Sequence, residues 1–190
     1  MSEITHRILE PPAGFTTRES GHVMAQLDDL YHRLAEDTRG LTPEQLEWQP
    51  SPGSNTIGML LAHIPITEIY WVQVGPMGLD TYRFEDILGI GSDDDGMPLD
   101  EGGRPPATLH GKDLAFFDEL IAKGRAFTRR ALQGLTQSDL DRVISRRCGA
   151  DVQEIDMRWV LYHMVEHMAC HYGQVNLLRH LEKFAAARKP

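Results

Sequence analysis

Cysteine is scarce: only Cys148 and Cys170 occur in 190 residues, too few for a disulfide framework. The chain suits a reducing compartment, and its core has to come from apolar packing. Positive charge is scarce too, with 19 Lys and Arg against 28 Asp and Glu, a formal net charge of −9. A surface of that sign repels a phosphate backbone, and no stretch sets Lys and Arg between aromatic residues, so nucleic acid is not an expected partner. There is no membrane-length apolar run free of polar groups. The most apolar window, IGMLLAHIPITEIYWVQV, carries His63, Glu68 and Gln73 and reads as a buried helix. The first residues, MSEITHRILEPPAG, have neither the basic start nor the apolar stretch of a secretory leader, so the expected compartment is the cytoplasm, with no membrane partner. One acidic run, GSDDDGMPLDEGG (91–103), invites a calcium-loop reading. Counting back from Gly96 puts Gly91 at position 1 and Gly102 at position 12, where carboxylates are required, so a solvated loop is expected instead.

What is present is an ordinary apolar share, 41%, in a length that suits one domain spanning residues 1–190. Four segments carry helical periodicity. Residues 18–38 space Val23, Leu27, Leu30, Tyr31 and Leu34 by threes and fours, and Gly40 stops the helix. A second helix starts near the N-cap candidates Ser54 and Asn55 and runs to Val74, with Pro65 inside it expected to bend it and help aim His63. The third spans 111–133, with Leu114, Phe117, Leu120, Ile121, Phe127 and Ala131 on its apolar face. The fourth begins at Asp156, flanked by the hydrophobic staple partners Ile155 and Val160, and continues to Ala186. No segment alternates with period two. The expected fold class is all-α, a four-helix bundle with short capping helices and a long loop, 75–110, between helices two and three that serves as a lid or interaction loop.

A weak internal echo accompanies this pattern. RGLTPEQLEW (39–48) and QGLTQSDLDR (133–142) each offer a capping threonine, Thr42 or Thr136, with Gln45 or Asp139 three residues on. Each short helix then leads into a histidine-bearing helix, which suggests two related helical hairpins.

The chemistry lies in HMVEHMACHYGQ (163–174). Residues four apart on a helix are neighbours, so two imidazoles can converge on one ion. His163 and His171 are about 12 Å apart on a straight helix at about 1.5 Å of rise per residue, so only adjacent members can share a metal. One choice pairs His163 with His167 as H-x-x-E-H, the inverted zinc-protease motif with Glu166 as general base. The other pairs His167 with His171 and needs a third ligand, for which His63, mid-helix in an apolar segment, is the best candidate. His6, His22, His32, His110 and His180 lie near termini, on polar faces or in the loop, and read as solvated.

The segments NTIGMLLAHIPITEIYW (55–71) and LYHMVEHMACHYGQVNLLR (161–179) resemble the two signature regions of the DinB/YfiT-like metalloenzyme superfamily. LTPEQLEWQPSPGSN resembles that family's lead into its second helix. The resemblance implies a DinB/YfiT-like four-helix bundle with metal ligands at His63, His167 and His171, followed by Gly173 and Gln174 at the family's offset. Where many members carry a further histidine before the last ligand, this chain has Cys170, read as a small buried residue. The resemblance also implies a divalent ion, Zn²⁺ or Ni²⁺, and transfer or isomerisation chemistry using low-molecular-weight thiols such as mycothiol, bacillithiol or glutathione.

Three neutral imidazoles would leave an ion its full charge and an open position, which favours activation of a thiol or of water. Thiol transfer to a small electrophile is the expected use, and metal-assisted hydrolysis is its nearest rival. Glu166 is the candidate for proton transfer. Glu68, five residues after His63, faces elsewhere on its helix and reads equally as a packing salt bridge, while Thr67 and Tyr162 are candidates to support the ligands. A homodimer joined through apolar helix faces is expected, and a non-catalytic metal-binding dimer is the alternative from a different class.

Overall fold

Capping chemistry divides the chain where its helices begin. In the computed structural model, which describes residues 8–99, 103–148 and 151–188, helix α1 (Arg18–Thr38) starts at Thr17, whose hydroxyl accepts from the Ser20 amide. It buries Met24, Leu27, Leu30, Tyr31 and Leu34, while Val23 is only partly covered. Gly40, at φ +78°, turns the chain out of it. The short helix α2 (Pro43–Leu46) follows with a full capping box, Thr42 with Gln45.

Helix α3 (Ile57–Val74) begins at Thr56, which accepts from the Met59 amide at 3.1 Å, one or two residues later than the Ser54 or Asn55 start expected. It is long and apolar enough to cross a membrane, yet 83% of it is buried inside the fold, as a core helix should be. Pro65 lies against α5 (Leu114–Gln133), where a Cβ at Gly124 would sit 2.9 Å from the Pro65 Cβ. Glycine is needed there for the two helices to approach. Between α3 and α5 run α4 (Glu85–Leu88) and a 3₁₀ turn at Ala107–Leu109. α5 starts after Asp113 rather than at 111, because Gly111 sits at φ +68°. Its buried face is Phe117, Leu120, Gly124, Thr128 and Leu132, so the expected Leu114, Ile121, Phe127 and Ala131 form the margin.

A second capping box, Thr136 with Asp139, starts α6 (Gln137–Leu140). The expectation of no strands is overturned next: β1 (Val143–Cys148) and β2 (Asp151–Asp156) form an antiparallel hairpin with Val143 opposite Asp156. Only one face of this ribbon is covered, and only in part, by Ile144 and Ile155 at the margin of the core, while Val143 and Val152 on the other face are 58% and 62% exposed, so the alternation that marks a half-buried strand is weak in the sequence. Helix α7 (Met157–Ala187) is capped by Asp156 as expected, and its 31 residues make it much the longest element.

Both α1 and α3 pack against α5 and α7, α2 sits on α3, and α6 on α7. The fold is thus mostly helical, with one small sheet. Across its middle runs a buried polar chain: Glu68, 4% exposed, accepts from the Tyr31 hydroxyl at 2.7 Å and from Arg125 at 2.9 Å. Arg125 also reaches Asp28 at 2.6 Å and lies over the Tyr31 ring. Glu68 is therefore a packing ion pair. Burial, and then the Glu68 carboxylate, push the Tyr31 phenol well above its ordinary range, so it stays a donor. Replacing Arg125 with alanine strands Glu68 in the interior, and the expected loss is about 3 kcal/mol of stability, read from the urea midpoint.

Candidate metal centre

His63 sits on the part of α3 that faces α7, and His167 and His171 come from consecutive turns of α7. One nitrogen from each lies within 4.8 Å of the others. His63 Nε2 and His167 Nε2 are 3.0 Å apart, and the His63–His171 and His167–His171 ring centroids are 4.8 and 4.3 Å apart. Two nitrogens on one tetrahedral ion, each at about 2.0 to 2.1 Å, stand about 3.3 Å apart. The His63–His167 pair is already close to that spacing.

Hydrogen bonds fix which nitrogens face the centre. His63 Nδ1 lies 2.8 Å from an Asp95 oxygen, and a carboxylate can only accept, so the proton is on Nδ1 and Nε2 carries the lone pair. The Thr67 hydroxyl, 3.2 Å from that Nε2 and one turn on, donates to the same lone pair, the position an ion would take. His171 Nδ1 donates to the Gln174 side-chain oxygen at 3.0 Å, which leaves its Nε2 free in the same way. These are the partners that ligating histidines use to fix their rings.

Asp95 is the site residue that sequence reasoning missed. It lies in the acidic run expected to be a solvated loop, yet it is 2% exposed. The three aspartates look alike in sequence and do different work: the Asp94 carboxylate accepts from the Gly91 amide, the Asp93 carbonyl accepts from Gly96, and Asp95 turns inward. The one local sign was Gly96, at φ +70°, where a Cβ would meet Pro106 Cδ at 2.6 Å. The second half of the 75–110 loop walls a separate cavity of about 380 Å³ with Leu46, Gln49 and Phe117, and none of the three histidines lines it.

The remaining residues fall outside the cluster. His163 stacks on Trp159 with the rings 7° from parallel and meets the edge of Trp71, and its Nδ1 is 3.2 Å from Glu166. Glu166 also accepts from the Tyr162 hydroxyl at 3.2 Å, on the exposed side of α7. The H-x-x-E-H residues therefore do not assemble as a protease site, and the His167 with His171 pairing is the one brought to His63. Cys170 is exposed, which corrects the expectation of a small buried residue: one position before His171, it lies on the solvent side of α7 beside the exposed Ala169. His32, His110 and His180 are exposed as expected, His22 is half-buried and accepts from Arg18, and His6 lies outside the described residues.

Electrostatics favour the ligand form. Burial first, and then His171, His63 and His163, push the His167 imidazole down to about 3, and burial chiefly lowers His171. Both rings are neutral at pH 7, as a metal requires. With Nε2 of His63 and His171 turned to the centre, His167 Nε2 beside them, and no Lys or Arg among the rings, the cluster fits a divalent ion. Above pH 6.5 His167 is neutral in folded and unfolded chains alike. As pH falls from there toward 3, the unfolded chain takes a proton that the folded chain refuses, so stability drops. Metal-free protein should lose about 2 kcal/mol from this group between pH 7 and pH 5, measured by urea unfolding.

The sequence matches the family model described as Mycothiol-S-transferase over residues 22–182, a span that takes in all three histidines and the long loop. A similar solved structure is that of a conserved protein from Enterococcus faecalis, with TM-score 0.63 and 16% identity over 84% of this chain and 94% of that one. At that identity the likeness is one of fold. No curated protein sequence matches significantly. The family match spans most of the helical framework and its histidine pattern, so the chain belongs to the mycothiol-S-transferase family, a DinB-like family of thiol S-transferase type.

Proposed function

We propose that residues 1–190 form a single-domain, four-helix-bundle enzyme of the cytoplasm that transfers or adds a low-molecular-weight thiol to a small electrophile, using Zn²⁺ or Ni²⁺ held by His63, His167 and His171. The observation that carries this reading is the convergence of three ring nitrogens, two with their tautomers fixed by Asp95 and Gln174, in a chain of a thiol-transferase family. When bound, such an ion supplies the charge that makes a thiol ionise near neutral pH. The three imidazoles contribute no charge of their own, so that effect is undiminished. Mycothiol is the first thiol to test, with bacillithiol and glutathione beside it.

The chain's other side chains divide the remaining work. Trp159 and His163 stack beside His167, with the buried Trp71 edge-on against both, an aromatic surface suited to the apolar part of an electrophile. Glu166 stands at the exposed end of this surface, bonded to His163 and Tyr162, and in this proposal it passes the thiol proton to solvent. Sulfur forms its bond to carbon as the leaving group departs with the bonding pair. The stripe Leu177, Leu181 and Phe184, exposed by 57%, 39% and 66% on the far part of α7, supports association as a homodimer.

His167→Ala should lose zinc or nickel, whereas His163→Ala should keep about one ion per chain, as measured by elemental analysis of purified protein. Conjugation of thiol to electrophile should stop on chelation, return with added metal, and show an apparent pKa below the ~8.5 of a free thiol. Glu166→Gln should keep the metal and slow turnover about 100-fold. Metal-dependent ester or amide hydrolysis without thiol transfer would move the assignment to hydrolase. Inertness in both assays, with every coordination position filled by protein, would make the bundle a non-catalytic metal binder.

A further inference from the structure

Asp95 comes from the long loop between α3 and α5, far in sequence from every histidine it serves. Its side chain is 3% exposed, and among the described residues its ion-pair partner is His63 alone. Its second oxygen accepts from the Met97 amide at 2.9 Å, which closes a tight turn around Gly96. The turn is pinned on its outer side, where the Thr108 hydroxyl donates to the Asp94 carbonyl at 3.0 Å and Pro106 packs against Gly96. The buried Asp95 carboxylate thus rests on two donors, the Met97 amide and the His63 Nδ1–H. An ion on the opposite nitrogen of His63 would draw charge from the ring and make its Nδ1–H a stronger, charge-assisted donor.

We propose that Asp95 is a positioning residue through which the 91–99 turn and the metal centre stabilise each other: the turn fixes the His63 tautomer that presents Nε2, and the bound ion in return tightens the turn. This rests on the metal reading above. Reciprocity follows from linkage, since whatever factor the Asp95 bond adds to metal affinity, the metal adds to docking of the turn.

Zinc affinity is to be measured by competition with a chromophoric chelator in the full chain and in Asp95→Asn, which keeps the shape and removes the charge. Amide hydrogen exchange across 91–99 is to be followed with and without zinc. The expected result is a 10- to 100-fold weaker affinity in the variant, with exchange that slows on zinc binding in the unaltered chain and loses that response in Asp95→Asn. Equal affinities, or exchange in the unaltered chain that ignores zinc, would overturn the proposal. The exchange comparison needs no variant, so it decides even if Asp95→Asn folds poorly. An unaltered chain that binds no zinc would remove the metal reading itself, and that failure shows in the first titration.

Discussion

Helix α3 is buried on nearly every side, so each polar group it carries must find its partner inside the protein. Most of the architecture follows from those obligations. His63 draws Asp95 from the loop and faces His167 of α7. Glu68 draws Tyr31 from α1 and Arg125 from α5. Gln73 holds both backbone groups of Arg83, accepting from its amide at 2.8 Å and donating to its carbonyl at 3.2 Å, which fixes the start of the loop. Four other parts of the chain are thus tied to one apolar helix by three side chains.

The two largest of these ties differ in kind. At Glu68 charges of opposite sign meet, and the hydroxyl and guanidinium between them satisfy the carboxylate. The group is complete and rigid. At His63 three imidazoles meet instead, with no carboxylate or guanidinium between the nitrogens that face one another. Such an arrangement is less stable than apolar packing of the same volume, and structures keep local conflicts of that sort where function requires them. The same interior therefore contains a charge-matched polar cluster that holds helices together and a histidine cluster suited to an ion.

How far the sequence discloses this depends on whether the deciding interaction is local. The caps at Thr42, Thr136 and Asp156 stand within three residues of their partners, and all were legible. Helix rise also showed that only adjacent histidines of α7 can share an ion, while the choice of His167 with His171 came from the family resemblance. Thr67 was legible as a neighbour of His63 because it stands one turn on. Asp95 was not, since 32 residues separate it from its partner and its neighbours in the run are also acidic. The β1–β2 hairpin escaped because burial writes the alternating pattern and this ribbon is covered only in part, on the side of Ile144 and Ile155. Cys170 was misplaced because a small apolar side chain beside a ligand reads as buried, while the helix turns it by about 100° away from His171.

The two ligand-bearing helices explain why a long loop is needed at all. The halves α1–α2–α3 and α5–α6–α7 repeat one order of elements, with the same capping box in the middle. They are not equivalent at the centre. On α7, which is exposed along one side, His171 can take its orienting partner from its own helix, because a polar residue, Gln174, is tolerated three positions on. On α3 the corresponding positions around His63, at Met59, Leu60 and Ile66, are all committed to the core. Only Thr67 is polar there, and its hydroxyl reaches Nε2, the nitrogen that faces the centre, not Nδ1. The partner for Nδ1 must then come from outside the helix, and the segment that follows α3 is the one placed to deliver it. A connection of ordinary length could join α3 to α5, but it could not carry a carboxylate back along α3 to His63 and return.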